Sequence, residues 1–119
     1  MANPQRLRRV ADQIQRELSD LLRSEVRDPR VGMITLTGVE VSPDLEHAKV
    51  YYMTLAEGYE RKLVAAGLKR AAGYLRSLLG ERIKVHATPD LRFIFDESVE
   101  RGTRLGRLID EAVGGKPKA

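Results

Sequence analysis

From residue 7 the apolar positions recur at three- and four-residue spacing: Leu7, Val10, Ile14, Leu18, Leu21 and Leu22. That period is helical. Arg6, Arg9, Arg16, Arg23 and Arg27 lie largely off the stripe. Asn3-Pro4 opens the element, because asparagine caps a helix start and proline suits its first position. Asp28-Pro29 predicts its end, since the residue before proline is pushed out of the helical region. The period then changes to two. In MITLTGVEVS (33–42), Ile34 and Leu36 alternate, and Val39 and Val41 alternate in the opposite phase. One extra residue near Thr37-Gly38 would restore a common face, which predicts a β-bulge there. SPDLEH (42–47) carries turn chemistry. AKVYYMTL (48–55) is a second strand, and the short connection makes an antiparallel hairpin.

After Glu57-Gly58 the helical period returns, with Val64, Leu68, Ala71, Leu75 and Leu78 on one stripe that ends near Gly80. Residues 81–90 are ambiguous, with room for a short extended piece at 83–85. LRFIFD (91–96) is a third strand with Leu91, Phe93 and Phe95 on one face. A last helix is expected from about residue 98 to 112, weakened by Gly102 and Gly106. The order predicts an α+β fold, a three-stranded sheet covered by helices on one face. One domain over residues 1–112 is expected, with 113–119 a disordered tail.

Composition narrows the class. The chain has no cysteine, so it has no disulfide framework, thiol nucleophile or thiolate zinc site. No apolar run approaches a membrane span, and MANPQRLRR is not followed by the apolar stretch of a secretory signal. A soluble cytoplasmic protein without a membrane partner is the expectation. The net charge of +4 is concentrated. Residues 61–86 hold seven Lys/Arg against one acid, whereas residues 40–60 hold five acids against one lysine. A clustered basic patch is the footprint of a polyanion partner, although a merely solvated face reads the same way.

Signs of catalysis are missing from the sequence. It contains neither a phosphate-cradling GxxxxGK[ST] nor GxGxxG, and no serine sits in GxSxG. His47 and His86 are isolated, so neither a metal site nor a bound cofactor is expected. Asp96, Glu97 and Glu100 stand where the last helix begins and would complement its dipole. A binding module is favoured over an enzyme. A nuclease of unusual type would require cleavage dependent on Glu97 or Glu100.

The candidate binding surface centres on LKRAAGYLR (68–76). Lys62, Lys69 and Arg76 are seven apart and share a helical face, and Gly73 falls on that face between the last two. A missing side chain there would let a phosphate backbone approach, or let the helix break and bare the amides of a second helix start. A plain packing kink would also account for the glycine. The small residues Ala71 and Ala72 beside it, and the basic surround, favour binding. The expected contacts are Lys69, Arg70 and Arg76, flanked by Lys62, Arg82 and Lys84. Arg6, Arg8 and Arg9 would extend the surface, and Arg30 is free for contact. Neutralising about four phosphates predicts a log–log salt slope near −3 on a single-stranded nucleic acid. The runner-up is a protein-interaction adaptor docking through the acidic hairpin 40–60, with nucleic-acid contact secondary.

With these residues in view, the chain resembles the ribosome-binding factor A family from about Arg6 to Asp110. The likeness rests on RLRRVADQIQRELSDLL (6–22), DPR (28–30), VEVSPDLEHAKVY (39–51), AAG (71–73) and LRFIFDES (91–98). The resemblance implies a type II KH-like domain, ordered helix-strand-strand-helix-kink-helix-strand. Ordinary KH modules grip nucleotides with GxxG. No two glycines here stand three apart, and Ala71-Ala72-Gly73 matches the Ala-x-Gly kink that the family carries instead. The resemblance further implies a non-enzymatic, monomeric factor of ribosome biogenesis. Such a factor binds the immature 30S subunit near the decoding region of its 16S rRNA. It assists rRNA folding and end-maturation, matters for growth in the cold, and works with ribosome-associated GTPases.

Overall fold

A computed structural model describes residues 3–26, 34–83 and 87–98. Five elements follow in order: α1 (Pro4–Ser24), β1 (Ile34–Val41), β2 (His47–Thr54), α2 (Gly58–Arg82) and β3 (Asp90–Phe95). The three strands form one sheet in the order β1-β2-β3, antiparallel between β1 and β2 and parallel between β2 and β3. Both helices lie on one face, α1 against β1 and α2 against β3, and they touch each other. This is the α+β, KH-like arrangement expected from the sequence.

The start of α1 follows its sequence signal. The Asn3 side chain accepts from the Arg6 amide at 2.8 Å, and Pro4 occupies the first turn. Its end does not wait for Pro29. The helix stops at Ser24 with Glu25 as cap, whose amide donates to the Leu21 carbonyl at 2.8 Å. The apolar stripe ends at Leu22. A continued helix would turn Val26 off the stripe, whereas leaving the helix lets Val26 pack against the core. The expected stop at Asp28-Pro29 itself lies outside the described residues. So do Arg30, Lys84, His86, the last helix beyond residue 98 and the tail.

The hairpin contains the predicted bulge. Leu36 pairs with Tyr52 and Gly38 with Tyr51, leaving Thr37 as the extra residue. Ile34, Leu36, Val39 and Val41 thereby share the side on which Ala48, Val50 and Tyr52 are buried. The 42–47 turn is held by short polar bonds. The Ser42 hydroxyl donates to Asp44 Oδ1 at 2.6 Å, and the Glu46 amide donates to the same oxygen at 3.0 Å. Leu45 there takes the left-handed backbone, with φ 62°. Hydrogen bonds from the Asp90 amide to Glu46 and from the Asp96 amide to Tyr52 bracket the parallel pairing of β3.

One expectation fails. The helical segment does not end near Gly80 and does not break at Gly73; α2 is a single helix of 25 residues. Leu68, Leu75 and Leu79 are completely buried, and Val64 is nearly so. These residues keep one phase on both sides of Gly73. Burying a leucine is worth about 1.5–3 kcal/mol, against about 1 kcal/mol for a helical glycine, so packing holds the helix through. Gly80 passes through for a further reason. A Cβ there would sit 2.7 Å from the Thr88 hydroxyl oxygen, so its absence admits the segment that leads into β3.

The two helices are also tied by charge. Arg82 Nη1 reaches Asp20 Oδ2 at 2.5 Å and Glu17 Oε2 at 3.3 Å. The Arg82 hydrogen bond is the main cause holding the Asp20 carboxyl below its ordinary 3.8, with the nearby charges of Arg82 and Arg23 adding to it. A carboxyl depressed on folding adds stability above its ordinary value, and that gain is lost as pH falls through the lower folded value. Arg82→Gln should therefore lower the melting temperature modestly at pH 7. Circular dichroism melts should show that difference closing as the pH is taken below 3.8.

Candidate nucleic-acid interface

The expected basic surface divides into cations that are free and cations that are engaged. Lys62, Lys69, Arg70 and Gly73 are all exposed along α2. Lys62, Lys69 and Gly73 share a face by their spacing, and Arg70 lies next to it. A Cβ built on Gly73 would meet nothing within 4 Å. The glycine thus faces solvent and lies among cations, with Ala71 and Ala72 half-buried beside it. Lys62, Lys69 and Arg70 form no ion pair with the described residues.

Arg76 and Arg82 are committed elsewhere. Arg76 donates from Nε and Nη2 to the Thr88 carbonyl at 3.0 and 2.9 Å, and its Nη1 pairs with Asp90 at 2.9 Å. It fastens the approach to β3 onto α2. Arg82 stands nine residues beyond Gly73, half a turn out of phase, and faces Glu17 and Asp20 on α1. The sequence could not show this, because the carboxylates that bind these two arginines come from distant positions in the chain.

The uninterrupted helix also removes a contact expected from a break. Without a second helix start, the amides after Gly73 stay in the helix's own hydrogen bonds. The Ser77 hydroxyl donates to the Gly73 carbonyl at 3.2 Å, adding to that closure. The patch therefore offers side-chain cations around a bare strip of backbone rather than an amide nest. Tyr74, 53% exposed, stands at its edge.

The N-terminal arginines stand on the other helix. Arg6, Arg8 and Arg9 are exposed in the first two turns of α1, where no acidic residue offsets the helix dipole. Cations at that end are electrostatically unfavourable for the helix itself, so the placement concentrates positive potential. Arg8 lines the shallow groove between α1 and β1 with Leu7, Asp12, Val39 and Glu40. Arg9 continues round α1 with Arg16 and Arg23.

The acids of the hairpin are partly engaged within it. Asp44 is bound in its turn, and Glu40 accepts from the Tyr51 hydroxyl at 3.3 Å. Asp96 accepts from the Ser98 amide and hydroxyl and from the Thr37 hydroxyl, and those bonds hold its carboxyl below the ordinary value, Ser98 foremost. Among the described residues, no three His, Asp or Glu side chains are grouped to hold a metal. No described helix is long and apolar enough to cross a membrane.

Fold and surface together define a KH-like α+β domain with exposed cations along α2. The profile of the ribosome-binding factor A family matches residues 6–109. The ribosome-binding factor A of Nitrosospira multiformis is 62% identical over 105 residues, covering 88% of this chain and 83% of that protein. The ribosome-binding factor A of Nitrosomonas europaea is 60% identical over 106 residues, covering 89% and 91%. The crystal structure of ribosome-binding factor A from Thermus thermophilus superposes with a TM-score of 0.65 at 26% identity, over 72% of this chain and 91% of that one. A homology model of the Thermus protein, fitted into a cryo-electron-microscopy map of a 30S complex, superposes with a TM-score of 0.61 at 25% identity, over 73% and 91%. This chain belongs to the ribosome-binding factor A family.

Gly73 has an ordinary helical backbone and open space around it, so nothing in the fold requires glycine there. Gly73→Ala should raise stability by about 0.5–1 kcal/mol, the difference between the two residues inside a helix. A higher urea midpoint with unchanged slope is the expected reading.

Proposed function

We propose that this protein binds the immature 30S subunit and assists folding and end-maturation of its 16S rRNA, gripping the RNA backbone with the exposed face of α2. The observation that carries the reading is the open cationic strip. Lys62, Lys69 and Arg70 stand exposed, without an ion pair among the described residues, around a glycine with nothing within 4 Å of its missing side chain. Membership of the family, and the Thermus relative placed in a 30S complex, supply the particle.

The mechanism is electrostatic and led by shape. Phosphates meet ammonium and guanidinium groups, and the bare backbone at Ala72-Gly73 allows the strand to lie close. Base readout is minor, because Tyr74 is the aromatic placed to stack. Arg6, Arg8 and Arg9 form an outlying contact on a neighbouring stretch of RNA, with Arg30 and Lys84 as further candidates. Arg76 and Arg82 position structure rather than grip. The protein works by occupying and ordering rRNA, not by a chemical step. It acts as a monomer in the cytoplasm, and ribosome-associated GTPases drive its release.

With Arg76 and Arg82 engaged, three cations remain on the α2 strip. The expected log–log salt slope on single-stranded RNA is therefore about −2, shallower than four phosphates would give. Lys69→Glu combined with Arg70→Glu should weaken binding to 30S particles and to unrelated RNA sequences by a similar factor. Filter binding across a salt series measures both quantities. A flat titration, or a double variant that binds normally, would refute the α2 grip. Gly73→Asp should fold and yet lose affinity, since its carboxylate points into the strip; full affinity in that variant would make the glycine a matter of helix structure alone.

A further inference from the structure

The turn after β2 and the first turn of α2 hold two of the three large apolar side chains that stand most exposed among the described residues. Leu55 is 85% exposed and Tyr59 is 72% exposed. Single exposed apolar residues are ordinary on a protein surface, but here two fall within five residues of chain. The turn is also braced. The Ala56 amide donates to the buried Thr54 hydroxyl at 3.2 Å. Arg61 Nε donates to the Ala56 carbonyl at 3.2 Å, and its guanidinium stacks over the Phe95 ring at 4.1 Å. Phe95 in turn meets Tyr52 edge-on at 5.9 Å. Gly58, with φ +56°, supplies the left-handed step that swings the chain into α2.

The exposed charges nearest Tyr59 are acidic, since Arg61 is turned onto Phe95 and Ala56, and Lys62 begins the cationic strip one turn further on. Glu57 and Glu60 flank Tyr59, and both are exposed. Acids at a helix start are accounted for by its dipole. The dipole does not account for Leu55 and Tyr59. A polyanion is repelled by two carboxylates, and leucine offers no face for stacking a base. A basic polypeptide with an apolar recess fits on both counts. The two side chains fill the recess, and the two carboxylates meet its cationic rim. The bracing lowers the ordering cost of such a contact.

We propose that the Leu55–Tyr59 tip is a docking knob for a basic protein of the 30S particle, beside the start of the α2 strip that holds RNA. The proposal rests on the reading that this protein binds that particle. Protein contact thus moves from the acidic hairpin as a whole, much of whose charge is internally bonded, to one apolar tip with an acidic rim.

The test compares purified 30S subunits with protein-free 16S rRNA in parallel titrations. Leu55→Ser with Tyr59→Ser should bind subunits about tenfold more weakly while binding free rRNA within about twofold of wild type, as expected for loss of a small apolar hot spot. Glu57→Lys with Glu60→Lys provides a second arm with opposite signs: weaker on subunits and tighter on free rRNA. Both residues are exposed, so this pair keeps the test decisive even if the first pair melts early. Equal weakening of the first pair on both ligands would mean that the tip touches RNA and would overturn the proposal. Unchanged binding of both pairs to subunits would overturn it as well. Failure of the wild-type protein to bind subunits would instead remove the particle-binding reading, a result visible before any variant is compared.

Discussion

The apolar seam of α2 is the constraint on which the rest of the structure depends. Val64, Leu68, Leu75 and Leu79 belong to the same buried cluster as Ile14, Leu18 and Leu21 of α1 and Val50 and Tyr52 of β2. Because α2 must keep these residues inward over its whole length, every other position on it has a fixed direction. Gly73 is turned outward by that requirement, as are Lys62 and Lys69. The surface proposed to meet RNA is thus a by-product of core packing. Its rigidity comes from leucines on the far side of the helix.

The same constraint explains which features could be read from the sequence. The elements, the bulge at Thr37 and the common face of Lys62, Lys69 and Gly73 all follow from periods of two and of 3.6. The continuity of α2 was legible too, since Val64, Leu68, Ala71, Leu75 and Leu78 keep one phase across Gly73. The intrinsic weakness of glycine in a helix argued the other way, and packing prevailed. Arg76 and Arg82 could not be sorted from sequence. Arg76 shares its charge and a seven-residue spacing with Lys69, Arg82 shares only the charge, and only the folded chain brings Thr88 and Asp90 to the one and Glu17 and Asp20 to the other. The early end of α1 was hidden likewise, because the local pattern does not show that Val26 packs against the core.

The cations and apolar groups of the surface divide into distinct roles. Arg61, Arg76 and Arg82 tie elements together through carbonyls, carboxylates and an aromatic ring. Lys62, Lys69 and Arg70 remain open to solvent. An arginine can do structural work because its planar fork meets several acceptors at once, as Arg76 does with Thr88 and Asp90. Two of the three free residues on α2 are lysines, point charges suited to a mobile phosphate chain. Ahead of them, Leu55 in the preceding turn and Tyr59 in the first turn of the helix stand exposed beside Glu57 and Glu60.

The bulge at Thr37 has an implication for the length of the hairpin. Removing Thr37 would leave every core pairing intact, since Leu36 would still face Tyr52 and Val39 would still face Val50. The inner layer could be written one residue shorter without loss. What would vanish is the 2.6 Å link from its hydroxyl to Asp96, at the point where the chain leaves β3. The surplus residue is a tether for the exit of the last strand, so the architecture carries it for the sake of the chain downstream.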